Sequence, residues 1–403
     1  MSNIKLREEN IKTISKAVSI QVVPAGKNKT ERNAIANQIK TLILFEWIIG
    51  ANRVYLLKYR RVIHFFYLIY TLIVTLTVVY VLTNFMARTA TFRVLRNTGG
   101  AEYISLVAIA MLSKKSALQN LFDKINTFDK ALNIEKDLDT TMPVKIEKYW
   151  LFISTLYVFM EYTALMVVSF DELKTTQIVV ITVTYFTLMC HSAEQQFFCC
   201  LLRTIFFRVR ILKAHVAKTL NTNEPKNKLD KVESLSNKAN LDIHDIHRNY
   251  ELLHKCADHL NAIMSLPMMI MLVSSGVSTI MLLKTLFKAL EMTTDPDVST
   301  VVIYSAARCI KYTILVIISC YYSSVTTSQV AQIRTMLHDA INSDQMDKLE
   351  RRRIKAFFQL TRESEFAYAL WGVIRLNMSL PLSYLSLCTT YLIIVMQFSK
   401  FID

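Results

Sequence analysis

Long apolar runs recur along this chain, and their lengths suit helices that cross a membrane. An apolar helix needs about 20 residues to span a bilayer. Six strong runs lie at 62–86, 149–170, 177–200, 263–287, 300–323 and 379–398. A weaker run at 101–112 could extend toward the N-terminus. The pattern predicts an all-α, polytopic membrane protein.

The distribution of basic residues decides whether the weaker run is a span. If it is, seven transmembrane helices place 38 of the 47 Lys and Arg residues on one side of the membrane and 7 on the other. The basic regions are 1–61, 113–148, 203–260 and 325–375. Because Lys and Arg mark cytoplasmic loops, we predict a cytoplasmic N-terminus and an extracellular C-terminus. This orientation is opposite to that of a G-protein-coupled receptor.

Two of the basic regions carry apolar residues at helical spacing. One set is Leu118, Leu121, Phe122, Ile125, Phe128 and Leu132, and the other is Ile243, Ile246, Tyr250, Leu253, Leu260 and Ile263. Such faces must be buried against another surface. We expect helices that continue below the membrane and pack together as a cytoplasmic layer. Helices lying flat on the lipid surface are the alternative.

Composition narrows the class of function. The chain is 52% apolar with only 6 Gly and 6 Pro, which favours long helices. Its net charge of +15 is better explained by contact with anionic membrane lipid than with nucleic acid. There is no Gly-rich phosphate loop and no nucleophile motif, so neither an enzyme activity nor a cofactor is expected. His191 and Glu194 lie one turn apart, but a metal site would need a third ligand.

The last apolar run is preceded by a break. Arg375 and Asn377 interrupt the pattern, and Pro381 begins a new segment at a position where helices tolerate proline. The pattern therefore predicts a split final helix, with an inner piece near 364–377 and a membrane piece at 379–398.

Within that membrane piece, Thr390 and Gln397 share one helical stripe, as do Tyr391 and Phe398, because each pair is seven residues apart. A polar amide on a membrane helix should face protein or water. From spacing alone, Gln397 could equally cap the outer helix end. The stretch "TYLIIVMQF" contains Thr-Tyr, five hydrophobic residues and Gln-Phe, and it resembles the C-terminal signature of insect gustatory receptors.

The resemblance implies a ligand-gated, non-selective cation channel in the plasma membrane of a sensory dendrite. Four chains, identical or paralogous, would surround one pore. Gln397 and Phe398 would face the pore axis as gate residues, while Thr390 and Tyr391 would pack between helices. Sugar receptors of the family have Glu where Leu392 stands, which favours a bitter plant compound as the tastant. A fructose-type or other sugar receptor, an odorant receptor and a secondary transporter are the alternatives.

The resemblance also divides the chain into four parts. Residues 1–61 form a cytoplasmic segment with a membrane-surface helix, and 62–323 form a six-helix ligand-sensing bundle. The bundle includes cytoplasmic helix extensions at 113–148 and 203–260. Residues 324–378 form a cytoplasmic anchor region, and 379–403 form the pore helix with a short extracellular tail.

Charged and aromatic residues in the outer half of the spans predict a ligand pocket. Glu161 and Arg308 each lie roughly 12 Å below the outer boundary, where an unpaired charge is costly. They either face a ligand cavity or form a bridge that only holds the bundle together. The candidate ligand-binding residues are Ser154, Tyr157, Glu161, Thr182, Tyr185, Phe186, Ser275, Ser278, Tyr304, Arg308 and Lys311.

Overall fold

The protein is almost entirely helical. The computed structural model describes residues 39–51, 53–57, 61–84, 90–112, 115–134, 149, 152–153, 155–157, 159–160, 162–163, 175–220, 241–291, 297–342 and 347–402. Some side chains within these ranges, including those of Tyr304 and Phe398, are not described. The statements below concern the described part of the chain.

The helices follow the apolar runs closely. In chain order they are α1 (Lys40–Ile48), α2 (Arg61–Asn84), α3 (Ala90–Leu112), α4 (Lys115–Ala131), α5 (Thr175–Thr219), α6 (Ile243–Glu291), α7 (Asp297–Asn342), α8 (Lys348–Glu363) and α9 (Leu380–Ile402). A 3-10 turn, Val54–Leu56, follows α1. The described positions between 149 and 163 are also helical. The weak run at 101–112 extends backward to Ala90, which makes a helix of 23 residues.

Helices α5, α6 and α7 continue far beyond their apolar runs. They contain 45, 49 and 46 residues, so each is longer than a bilayer requires. Helix α6 is central, because it packs against α3, α4, α5, α7 and α9. The predicted helical extensions are therefore present.

The amphipathic faces of α4 and α6 meet each other. Leu121, Phe128 and Leu253 have exposed fractions of 0%. All six apolar residues predicted for α4 are buried, and so are five of the six predicted for α6, with Ile263 partly buried. Helix α8 adds Ile354 and Phe357 to the same core. We call this assembly of α4, the first half of α6 and α8 the lower layer. Its interhelical packing is confirmed, and its cytoplasmic location stays a prediction.

The break before the last helix is present, but the inner piece predicted near 364–377 is not helical. The inner helix is α8, which ends at Glu363. Strands β1 (Ala369–Leu370) and β2 (Ile374–Arg375) then form a hairpin. Its turn places Trp371 and Gly372 at φ values of +51° and +71°, a conformation that glycine adopts readily. Because these residues form a hairpin, the inner helical piece predicted from the break at Arg375 and Asn377 is wrong in its position.

Side chains of α6 hold the hairpin in place. The Ala369 N–H donates to Asn261 Oδ1 at 3.2 Å, and the Trp371 N–H donates to Ser265 Oγ at 2.6 Å. The Asn377 side chain then accepts the Leu380 N–H at 3.2 Å, which satisfies a free donor at the start of α9.

Four helical segments among the described residues are long and apolar enough to cross a membrane: His64–Asn84, Ile243–Phe287, Ser305–Asn342 and Leu380–Gln397. Helices α3 and α5, also predicted as spans, carry more polar side chains. Those side chains find partners inside the bundle, as described next.

Candidate functional site

A small aromatic cluster lies where the sequence predicts the ligand pocket. The rings of Tyr162 and Tyr185 meet edge to face with centroids 5.4 Å apart. The Tyr162 hydroxyl lies 3.2 Å from Thr182 Oγ1. Across from them, Lys311 Nζ lies 5.3 Å from the centre of the Tyr157 ring, a cation–π distance. We call these five residues the aromatic cleft.

The cleft lies close to the end of α5 that is predicted to be extracellular. Thr182 is seven residues from Thr175, the first residue of α5, which corresponds to about 10 Å along the helix axis. Four candidate residues, Tyr157, Thr182, Tyr185 and Lys311, thus come together. Tyr162 completes the cleft and was not predicted.

The remaining candidates lie elsewhere. The Phe186 ring packs near Tyr103 at 6.3 Å, and Ser278 is buried within α6. Ser154 and Glu161 lie outside the described residues, as does the side chain of Tyr304. The alternatives for the Glu161–Arg308 pair therefore both stay open.

Arg308 leads from the cleft toward the middle of the bundle. It is buried on α7 one turn before Lys311, and its Nη2 donates to the Tyr312 hydroxyl at 3.3 Å. The Tyr312 ring in turn meets the His191 ring edge to face, with centroids 5.3 Å apart. Arg308 is thus bonded to an aromatic residue that contacts a second, deeper cluster.

That deeper cluster joins α3, α5 and α6. His191 Nδ1 lies 2.5 Å from Glu102 Oε1, and Ser274 Oγ donates to the other carboxylate oxygen, Oε2, also at 2.5 Å. Ser275 Oγ lies 3.5 Å from His191 Nε2. All four side chains are buried. We call them the polar cluster; their mutual bonds offset the cost of removing them from water.

A cavity of about 20 Å³ lies beside the polar cluster. His191, Ser275 and Tyr312 line one side, and Gln195 and Ser319 line another. Gln195 Nε2 donates to Ser319 Oγ at 2.6 Å. The space suits one water molecule, and the polar lining can bond to it.

The other wall of this cavity belongs to the hairpin and the last helix. Leu370, Leu376 and Leu380 line it. Arg308 thus lies one turn from Lys311 of the aromatic cleft on α7, and its partner Tyr312 lines the same cavity as Leu380, the first residue of α9.

Comparison with known proteins decides what kind of bundle this is. The sequence model of a family described as "7tm Chemosensory receptor" matches residues 47–402. This chain belongs to the seven-span chemosensory receptor family. The predicted family and the polytopic all-α fold are confirmed. No curated protein sequence matches the receptor.

Two solved structures share the fold of the receptor. One is the insect olfactory receptor OR5 from Machilis hrabei, with 13% identity and a TM-score of 0.61 over 90% of this chain and 98% of that chain. The other is the same olfactory receptor in complex with eugenol, with 12% identity and a TM-score of 0.66 over 91% and 99%. At these identities the likeness establishes the fold alone.

The last helix of the receptor packs through one face only. Tyr384, Cys388 and Leu392 are buried, and the Tyr384 hydroxyl lies 3.0 Å from Thr279 Oγ1 of α6. Thr390 and Tyr391, for which we predicted a packing role, are exposed. Any packing by these two residues must therefore involve lipid or another chain.

The predicted gate residues lie at the far end of α9. Gln397 is exposed in the single chain. Phe398 belongs to the same helix, although its side chain is not described. Their predicted roles at a pore stay predictions.

Proposed function

We propose that this protein is a gustatory receptor that acts as a ligand-gated, non-selective cation channel in the plasma membrane of a sensory neuron. The observation that carries the proposal is that α7 holds both Lys311 of the aromatic cleft and Tyr312, which lines the same cavity as Leu380 at the start of α9. Helix α7 therefore connects a small molecule bound between the spans to α9, the helix that carries the family motif.

In this proposal the tastant binds in the aromatic cleft. Aromatic walls with a few polar anchors are typical of small-molecule sites. Tyr157, Tyr162 and Tyr185 offer ring faces, and Thr182 offers a hydroxyl. A ligand that inserts between Tyr157 and Lys311 displaces α7 relative to the helical segment that carries Tyr157.

Movement of α7 then changes the surroundings of α9. Arg308 and Tyr312 move with α7, and Tyr312 lines the same cavity as Leu380. Helix α9 also packs directly against α6 and α7. The binding energy that opens the channel equals the difference in ligand affinity between its closed and open states.

The gate is proposed to form from four copies of α9, in a homotetramer or with paralogous chains. Four Phe398 side chains near one axis would close the pore by excluding water. Gln397 supplies amides that bond across subunits or contact permeating cations. The exposed outer face of α9 fits this assembly, since the single chain leaves it uncovered.

A plant-derived bitter compound is the ligand class we favour, because Leu392 stands where sugar receptors carry an acid. An odorant role is the second candidate. A structural neighbour was solved with eugenol, and an aromatic molecule of that kind suits a cleft lined by tyrosines.

Recording currents from cells that express this chain alone tests the proposal. At a fixed potential, bitter compounds, sugars and aromatic odorants are applied in turn. A current evoked by one class identifies a channel and assigns its tuning. Robust surface expression without current for any class, together with saturable uptake of one compound, would instead identify a transporter.

Epitope insertion tests the proposed orientation. A tag at position 225 should be invisible to antibody on intact cells, because the basic region 203–260 is assigned to the cytoplasm. A tag after Asp403 should be labelled. The reverse pattern would reject both the orientation and the channel geometry.

A further inference from the structure

A buried ionic cluster lies apart from the aromatic cleft and the polar cluster. Arg53, which follows α1, donates from Nη1 to Glu46 Oε1 of α1 and from Nη2 to Glu194 Oε2 of α5, each at 2.9 Å. The exposed fractions of these side chains are 5%, 0% and 1% respectively. The Arg53 guanidinium also lies 4.3 Å from the centre of the Phe197 ring. The cluster fixes the segment before the first span onto α5.

The charges of this cluster do not balance. Two carboxylates share one guanidinium, so full ionisation leaves a net charge of −1. One oxygen of each carboxylate, Glu46 Oε2 and Glu194 Oε1, is buried without a hydrogen-bond partner among the described residues. Removing an uncompensated charge from water costs several kcal/mol.

The titratable groups around the cluster do not supply the missing positive charge. Tyr55 of the 3-10 turn and Cys190 of α5 interact with it electrostatically, and both are neutral at pH 7. Glu102 of α3, which also acts on Cys190, is a carboxyl group and is already bonded to His191. Within the described part of the chain, Arg53 is the cation that faces both carboxylates.

We propose that Glu46 and Glu194 bind one proton between them at neutral pH, which makes the cluster electrically neutral. One carboxylate gains the proton and becomes a carboxylic acid, and the other keeps its ion pair with Arg53. The proton is taken from water, and no other bond is made or broken. The ligand of this site is therefore H⁺ itself.

The location of Glu46 supports this assignment. Glu46 lies on α1, outside the membrane-spanning helices, yet it is fully buried. Burial, reinforced by the neighbouring Glu194 carboxylate and opposed by Arg53, raises the pKa of Glu46. The folded receptor then holds a proton that the unfolded chain has already lost, so the free energy of unfolding decreases as pH rises above the ordinary carboxyl range.

The consequence is a pH-dependent attachment of the N-terminal segment. In alkaline solution the cluster becomes negative, and α1 and the 3-10 turn bind α5 less firmly. This inference does not require the receptor to be a channel, because it concerns only the folded chain.

Infrared spectroscopy of the purified full-length receptor, in a detergent without ester groups, tests the proposal directly. A protonated carboxyl has a C=O absorption that a carboxylate lacks. We expect this absorption at pH 7 in the wild type, and its loss in both Glu46→Gln and Glu194→Gln. Either substitution leaves a balanced pair of one carboxylate and one guanidinium. Glu251→Gln is the matched control, because Glu251 is exposed and already paired with Lys255 at 2.6 Å.

Thermal unfolding provides an independent readout. The unfolding midpoint of the wild type should fall by about 3 °C or more between pH 6 and pH 9, whereas that of either Gln variant should stay flat. Absence of the protonated absorption at pH 7, or its survival in either Gln variant, would overturn the proposal. If one variant fails to fold, the other variant alone tests the proposal, since each substitution removes the same excess charge.

Discussion

The lower layer and the last helix both carry apolar residues, but the lower layer buries an apolar face, whereas the last helix leaves one exposed. In α8, Ile354 and Phe357 are buried under charged neighbours. In α9, Leu382 and Leu387 have exposed fractions of 71% and 57%. Water surrounds the lower layer in our orientation, so its apolar face must be covered by the same chain. An exposed apolar face on α9 is tolerable only beside lipid or another subunit.

The difference identifies which part of the receptor is complete by itself. The helices of the lower layer bury their apolar faces in the core of the chain, and Asp129 Oδ1 of α4 accepts a hydrogen bond from Arg208 Nε of α5 at 2.8 Å. Helix α9 relies on surroundings that a single chain does not provide. Mutations should therefore affect folding in the first region and channel behaviour in the second.

The largest expected effect is loss of folding from the lower layer. Phe128→Ala removes a fully buried ring and should lower the free energy of unfolding by about 3–5 kcal/mol. Leu387→Ala, on the exposed face of α9, should change it by less than about 1 kcal/mol. Thermal unfolding in detergent and surface labelling measure both. Equal losses would show that the two regions do not differ in this way.

The second prediction concerns the aromatic cleft. Tyr157→Ala and Tyr185→Ala should each raise the agonist concentration for half-maximal current about tenfold, corresponding to roughly 1.4 kcal/mol of lost contact. Phe159→Ala is the control, because the Phe159 ring is exposed on the same helical segment.

Charge-removing variants distinguish a ligand-binding role of Glu161 and Arg308 from a purely structural one. If Glu161 and Arg308 only hold the bundle together, Glu161→Gln and Arg308→Gln should reduce surface expression and leave agonist sensitivity unchanged. Wild-type sensitivity in these two variants and in both tyrosine variants would remove this cleft as the ligand site.

The third prediction uses the pH dependence of His215, which lies on α5 four residues before its end. Burial, with a smaller contribution from Lys218, lowers the pKa of His215 from 6.5 to about 4. The unfolded chain binds this proton at a higher pH than the folded chain, so stability should fall as pH drops from about 6.5 to about 4. We expect His215→Gln to make this decrease in the free energy of unfolding smaller by roughly 1 kcal/mol, a value that allows for screening by solvent. His338→Gln, at an exposed site, should leave it unchanged.

The smallest effect is expected at the end of α9. Phe398→Ala should raise ligand-independent current by about threefold, because removing a bulky apolar ring weakens a hydrophobic gate. Gln397→Ala should change gating or the relative permeability of cations. Unchanged currents in both variants, at normal surface expression, would mean that this stripe faces away from the pore.

The helices were predictable because hydropathy and spacing are local properties. The buried face of α4 is predicted within a few turns by the spacing of Leu118, Leu121 and Phe128. Tyr157 and Tyr185 were found in the same way, from their depth in separate spans. The prediction of a helix near 364–377 was wrong, because side chains of α6 hold a hairpin there.

The polar contacts were not predictable, because they join distant parts of the chain. Arg53 and Glu194 are 141 positions apart, and Glu102 and His191 are 89 positions apart. In the sequence Glu46 interrupts the apolar stretch 42–49. A charge inside such a stretch signals that a partner exists, but the sequence does not say which helix carries it.

Helix α7 has a mechanical consequence that follows from its length. Its 46 residues contain neither Pro nor Gly, and they extend about 69 Å. Arg308 lies toward the N-terminal end of this helix. Toward the C-terminal end, Thr327 Oγ1 donates to the Phe366 carbonyl at 3.0 Å. Arg334 Nη2 donates to the Thr361 carbonyl at 2.7 Å.

In the proposed channel, such a rod would act as a lever that tilts about a point within the bilayer. A tilt of about 5° around its midpoint displaces each end by about 3 Å, which is roughly the length of a hydrogen bond. The elasticity of the surrounding lipid opposes that tilt. A stiffer membrane would therefore demand a more strongly bound ligand for the same displacement, and lipid composition would set the sensitivity of the receptor.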